Sequence, residues 1–308
     1  MEIEIILHQM LQLFIIMFLG YALHKVKLID HDFIKKLTKL LLNVTLPATI
    51  FSSVLQQESE RDMGAVGEVF LIGVAVYVVL PVVSLLAVKL MRLPKKDRSL
   101  YAFMMTYSNI GFMGFPLMDA LYGQTAVFYA AIINIIFNIS VFTCGVLMMN
   151  AGKDGGNTKL KWRNLLSPGV SVSTLSVAVY LLNISFPEDI KSVVSSVGNI
   201  TTPLAMILIG ATLATMDVKS IFNDWHVYFY SAVKQIVIPL LFWPALKFLI
   251  HDPFILAVVF ILILMPVANT SVLFATEYDG DEKLAAKTIF ITTVMSIVTV
   301  PLLLMICT

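Results

Sequence analysis

The sequence is short of charge. Only 13% of its 308 residues are Asp, Glu, Lys or Arg, too few to coat a soluble globule of this length. Cysteine is scarcer still: Cys144 and Cys307 lie far apart in apolar runs, which leaves no basis for a disulfide framework or a thiolate metal site. The five histidines form no His-Glu-x-x-His pair, and neither a Gly-x-Ser-x-Gly elbow nor a phosphate-binding loop is present. Enzymatic chemistry, ATP drive, metals and cofactors thus have no motif behind them. Net charge is +1, with no basic face interleaved with aromatics, so nucleic acid is excluded as a partner.

What the chain does have is apolar residues, 58% of the total, and a mean hydropathy of +0.89. They gather into runs of about 20, the length a helix needs to cross about 30 Å of hydrocarbon. Ten such runs stand out: Ile5–Leu23, Phe33–Leu55, Gly64–Met91, Leu100–Leu121, Thr125–Met149, Pro168–Ile184, Ile190–Leu213, His226–Ile250, Phe254–Thr276 and Leu284–Ile306. The expected fold is an all-α polytopic membrane protein with the lipid bilayer as its solvent. The first run follows the acidic Met1-Glu2-Ile3-Glu4 with no small-residue cleavage site after it, and reads as a retained span.

Lys and Arg near the span ends set the orientation, because cytoplasmic loops keep positive charge. The loops after spans 1, 3, 5, 7 and 9 carry 17 of these residues and the opposite side carries 3, namely Arg61, Lys191 and Lys247. Both termini are therefore expected outside, in the cytoplasmic (inner) membrane of a bacterium. The polar, Gly-rich stretch from Asn150 to Lys159 predicts a cytoplasmic linker, residues 151–166, between a first unit (1–150) and a second (167–308).

The two units repeat. Asn43-Val44-Thr45-Leu46-Pro47 in span 2 matches Asn199-Ile200-Thr201-Thr202-Pro203 in span 7 at an offset of 156, and the same offset carries Tyr122 onto Tyr278. Five spans per unit is an odd number, so the two repeats are expected to be inverted in the membrane. Span 4 contains Ser108-Asn109-Ile110-Gly111-Phe112-Met113-Gly114-Phe115-Pro116, a helix-breaking segment at bilayer depth. Adding the offset predicts a second break in span 9, where Met265-Pro266-Val267-Ala268-Asn269-Thr270-Ser271-Val272 stands. Two interrupted helices crossing near the midplane would aim half-helix N-termini and side-chain donors at one point, an arrangement suited to an anion.

Asn109, Gly111, Gly114, Pro116, Pro266, Asn269, Thr270 and Ser271 are the candidate site residues, with Ser52, Ser53 and Asn134 as further lining. The bland alternative is that Pro47, Pro116, Pro203 and Pro266 merely kink packed helices, with Asn and Thr satisfying freed carbonyls. Asn134 and Asn138, at i, i+4 spacing, serve equally well as glue between helices. Lys234, about two turns into span 8, is a candidate for ion coupling, against the simpler reading that it snorkels to the cytoplasmic surface. Asp119, Glu68 and Glu277 fall near span ends, where solvated carboxylates are ordinary. Tyr278-Asp279-Gly280-Asp281 reads as a cap for span 10 rather than a calcium loop.

These residues resemble the auxin efflux carrier family, related to the plant PIN-FORMED carriers and more distantly to bile acid:sodium symporters. The likeness is carried by Leu46-Pro47 with Phe51-Ser52-Ser53, by Tyr107 to Pro116, by Thr202-Pro203-Leu204 with Ile209 to Ala214, and by Pro266 to Tyr278 ending in Pro301. The resemblance implies ten helices and a crossover of helices 4 and 9. It also implies a scaffold of helices 1, 2, 6 and 7, often dimeric, and a mobile transport domain of helices 3–5 and 8–10 moving as an elevator. Asn109 and Asn269 would then contact a small carboxylated substrate, with malate or related acids more expected than auxin, because the long central loop of the plant carriers is missing. A membrane receptor binding the same ligand without moving it is the second reading, and a channel the third.

Overall fold

The computed structural model describes residues 3–56, 62–150, 168–215 and 224–307. The linker 151–166, with its lysines and arginine, lies outside the described residues, as do Arg61 and Lys219. Among the described residues the chain is helical, and seven helices are long and apolar enough to cross a membrane by length and composition.

Helix α1 covers Ile3–Lys25, α2 His31–Leu55 and α3 Met63–Leu90. Span 4 is interrupted: α4a runs Arg98–Thr106, the chain unwinds over 107–109, and helix resumes at Ile110. The following run Ile110–Asn150 is 41 residues long but turns at Gly123, whose φ of 73° and ψ of −165° only glycine adopts without strain. It therefore forms α4b (residues 110–122) and α5 (residues 124–150). Next come α6, Pro168–Leu182, and α7, Glu188–Thr215, whose last regular stretch begins at Thr201. Helix α8 is Trp225–Leu249. Span 9 is interrupted as well, with α9a at Pro253–Leu264 and α9b at Thr270–Glu277, and α10 closes the chain at Glu282–Cys307.

Aspartates start many of these helices. Asp30, Asp62, Asp252 and Asp281 accept from Phe33 N (2.7 Å), Ala65 N (2.8 Å), Phe254 N (2.7 Å) and Leu284 N (2.9 Å), each satisfying an orphan donor of a first turn. Capping thus holds much of the scarce acid at helix ends. The bonds at Asp281 agree with the cap expected there.

Prolines leave a different mark. Pro47, Pro116 and Pro239 each stand two residues after a five-residue π-turn, Leu41–Thr45, Ile110–Gly114 and Val233–Val237 respectively. A proline has no N–H and its ring crowds the carbonyl four residues back, and widening the preceding turn relieves both problems. Helix α2 consequently continues through Pro47 instead of breaking.

Packing is tightest where α1 meets α7. A Cβ on Gly20 would sit 2.2 Å from the Ile207 carbonyl oxygen, and one on Gly210 would sit 1.8 Å from that of Met17. Only bare backbones approach so closely, as small residues permit in membrane helices. Helix α2 packs on α6 and α7, where Thr49 Oγ1 lies 2.8 Å from Gly198 O and 2.7 Å from Thr201 Oγ1. Helices α3, α4a and α5 pack together, α8 and α9b each pack on α10, and α9a lies against α5 and α8. The outer faces carry large apolar side chains such as Phe18, Leu71, Val78 and Phe248, which lipid accommodates and water does not. Serine, threonine and asparagine are buried inside.

Candidate substrate site at the helix interruptions

The two unwound stretches satisfy each other. Asn109 N donates to Pro266 O (2.8 Å) and Ala268 N to Tyr107 O (3.1 Å), so that Ser108 and Val267 form one antiparallel bridge between the broken helices. Val267 N donates to Thr292 Oγ1 of α10 (3.3 Å). Peptide groups unwound at membrane depth must find protein partners, and here they find them chiefly in one another. The break precedes Pro116 by seven residues, whereas Pro266 lies inside its own break.

A cavity of about 270 Å³ opens beside this bridge. Its walls come from the interruptions themselves (Ser108, Asn109, Gly111, Asn269, Thr270), from α2 (Asn43), from α5 (Asn134, Asn138) and from the start of α6 (Gly169). Phe112, Phe115, Phe137, Leu42 and Leu46 supply the apolar part, and no charged side chain among the described residues lines it.

Most amides at the cavity are partly committed. Asn109, 4% exposed, caps α4b by accepting from Phe112 N (3.2 Å) through Oδ1, leaving its NH2 group to donate. Asn134 accepts from Asn138 Nδ2 at both its backbone oxygen (2.7 Å) and Oδ1 (3.1 Å), which likewise leaves an NH2. The pair lines the cavity, and these bonds run within α5 rather than between helices. Asn269 begins α9b without spending its side chain on a cap. Thr270 Oγ1 and Ser271 Oγ are buried with no hydrogen-bond partner among the described residues.

The expected residues are not all brought together. Asn109, Gly111, Asn134, Asn269 and Thr270 meet at the cavity, while Gly114, Pro116, Pro266 and Ser271 belong to its supporting layer. Ser52 and Ser53 lie elsewhere: Ser53 Oγ bonds Ile50 O (2.6 Å) and Ser52 Oγ accepts from Gln56, whose Nε2 also reaches Ser195 of α7. Ser52 thus serves the α2–α7 contact through Gln56, while the Ser53 bond to Ile50 stays within α2. Pro203 lies in the first turn of the Thr201–Thr215 stretch, past the interruption of α7. Asp119, expected to be a solvated carboxylate, is half-buried, bonded by Gln124 and reached by Thr202 Oγ1 of α7 at 3.4 Å.

Lys234 departs most from the simpler expectation. It does not snorkel: it is 1% exposed, and its Nζ donates to Met105 O (3.0 Å) and Ser108 Oγ (2.7 Å). The π-turn Val233–Val237 places it and Gln235 in the interior together. Ser108, Gly169 and the three phenylalanines were not singled out by sequence reasoning, whereas Asn43 stood in the Asn-x-Thr-x-Pro element, for which site lining and helix structure were equal alternatives. The one available signal was that Ser108 adjoins Asn109 in the breaking segment.

A lipid-suited helical body with a small, partly polar cavity at paired helix interruptions suits a membrane transport protein. Comparison with known proteins agrees: residues 5–304 match the family model described as "Membrane transport protein". The chain belongs to that family, which is the auxin efflux carrier family its motifs resemble, and it is a transporter rather than an enzyme. Among similar proteins, one from Rhizobium meliloti (strain 1021) named "Putative malonate transporter" is 26% identical over 301 residues, covering 94% of this chain and 92% of the relative. "Uncharacterized transporter YfdV" of Escherichia coli (strain K12) is 24% identical over 239 residues, 75% of each chain. An "Uncharacterized transporter" of Methanothermobacter thermautotrophicus is 23% identical over 303 residues, 95% of each.

Proposed function

We propose that this protein is a secondary carrier of small organic anions, with malonate, malate or another short carboxylate as substrate, bound at the crossing of the two interrupted helices. The observation that carries this reading is the cavity itself: amide NH2 groups of Asn109 and Asn134, the side chain of Asn269 and the unpartnered Thr270 hydroxyl line it or adjoin it, and no acid among the described residues faces it. Neutral donors in a low-dielectric pocket favour a carboxylate over a cation. The name of the Rhizobium relative supports a short dicarboxylate as one candidate cargo.

In this reading ten membrane passages form two inverted five-helix repeats, and alternating access is of the elevator type. Helices α1, α2, α6 and α7 form the scaffold, through which two copies pair, while α3–α5 and α8–α10 carry the site. The close contacts of α1 with α7 and of α2 with α6 and α7 support such a division. Positive charge in the loops supports an inner-membrane location with both termini outside.

Reconstitution into proteoliposomes tests the proposal, with solid-supported-membrane currents recorded over a panel of mono- and dicarboxylates. The expected result is saturable carboxylate flux that Asn269→Ala reduces at least tenfold. Binding without movement of labelled substrate, or wild-type flux in Asn269→Ala, would contradict it.

A further inference from the structure

Lys234 is the one charged side chain that is buried among the described residues. Nothing acidic lies within ion-pair distance of it there, although a bare cation at this depth is costly. Its partners are informative. Met105 O belongs to the last turn of α4a, the negative pole of that half-helix. Ser108 lies in the interruption and lines the cavity. An ammonium has only donors to give, so Ser108 Oγ accepts from it, and the hydroxyl hydrogen is then turned away from Lys234.

We propose that Lys234 is the charge-selecting residue of this carrier: its ammonium, seated on Met105 O and Ser108 Oγ, is a built-in counter-charge that Ser108 relays to one substrate carboxylate as a polarised O–H donor. This rests on the crossing being the substrate site. One fixed charge matches one carboxylate, so the preferred cargo carries a single negative charge at the crossing. The ammonium also takes the half-helix carbonyl end that interrupted-helix carriers offer to a coupling cation, so flux does not require sodium. Lys234 is a positioning residue, since it acts on the substrate through Ser108.

The test is binding of malonate, malonamate and malonamide to purified full-length protein, with currents recorded in sodium and in choline. Wild type should bind malonamate at least tenfold tighter than neutral malonamide and no weaker than malonate, with equal currents in both salts. Lys234→Met and Ser108→Ala should each cut the preference for malonamate over malonamide below threefold. A residue that merely caps α4a would change stability and leave that ratio alone. If Lys234→Met does not fold, Ser108→Ala decides by itself, because removing one hydroxyl spares the ammonium's bond to Met105.

Retention of the preference in the folded variants, a strict sodium requirement, or malonate binding tenfold tighter than malonamate overturns the assignment while the crossing keeps its role. Failure of wild type to bind any of the three removes the site reading and this inference together.

Discussion

Asn109 uses its single amide twice, the oxygen to start α4b and the nitrogen to face the cavity. The two uses separate by substitution. Asn109→Ala removes both, and losing the cap alone costs about 1 kcal/mol. Asn109→Asp keeps the cap but presents negative charge to an anion. It should therefore melt within a few degrees of wild type while carboxylate binding falls further than in Asn109→Ala, a ranking that calorimetric titration can read. Asn109, Asn269 and Thr270 were legible in the sequence because amides and hydroxyls stand out in an apolar run next to proline. The position of Lys234 was not, since sequence cannot tell a lysine that reaches for lipid headgroups from one whose receptor, Met105 O and Ser108 Oγ, is about 126 residues away in the chain. Ser52 and Ser53 were misplaced for the same reason: polarity is visible in a sequence, but the facing neighbour is not.

At the level of helices, proline and glycine shape the fold by different means. Glycine at α1–α7 matters for space, and at 123 for backbone angle. Gly210→Val should drive the helices apart, because even a Cβ would fall 1.8 Å from Met17 O. The expected cost exceeds the roughly 1–3 kcal/mol of ordinary overpacking, since backbone cannot rotate aside. Loss of the monodisperse peak in size-exclusion chromatography would report it. Gly123→Ala has open space around the new methyl and should cost about 1–3 kcal/mol from backbone strain alone, seen as a lowered melting temperature with transport intact.

The two breaks were readable from their glycines, prolines and asparagines, but their register was not. The asparagines are related by 160 positions (269 minus 109), the motif pair by 156 and the prolines by 150 (266 minus 116). No one offset holds across interruptions in which each chain unwinds by a different length. The π-turns had no periodic signature either. They follow from proline sterics at three places, and a Pro239→Ala variant should let the Val233–Val237 turn tighten, weakening carboxylate binding severalfold by moving Lys234.

For the molecule as a whole, composition was the strongest message: an apolar exterior, Ser, Thr and Asn buried among apolar side chains, and aspartates at helix caps all suit a chain solvated by hydrocarbon. The orientation proposed for the loops rests on lysine and arginine counts, so a cysteine at Lys96 should react with an impermeant maleimide only after cells are opened, and one at Glu188 in intact cells. The reverse pattern would invert the proposed topology.

The proposed site at the crossing is tested most directly by placing Thr270→Cys in a background with Cys144 and Cys307 replaced by serine, and measuring its rate of thiol modification in membranes. With the interruption as substrate site, malonate should slow modification at least tenfold, half-maximally at the concentration that half-saturates transport. Modification that proceeds at the same rate under saturating, transported malonate would place the substrate somewhere else.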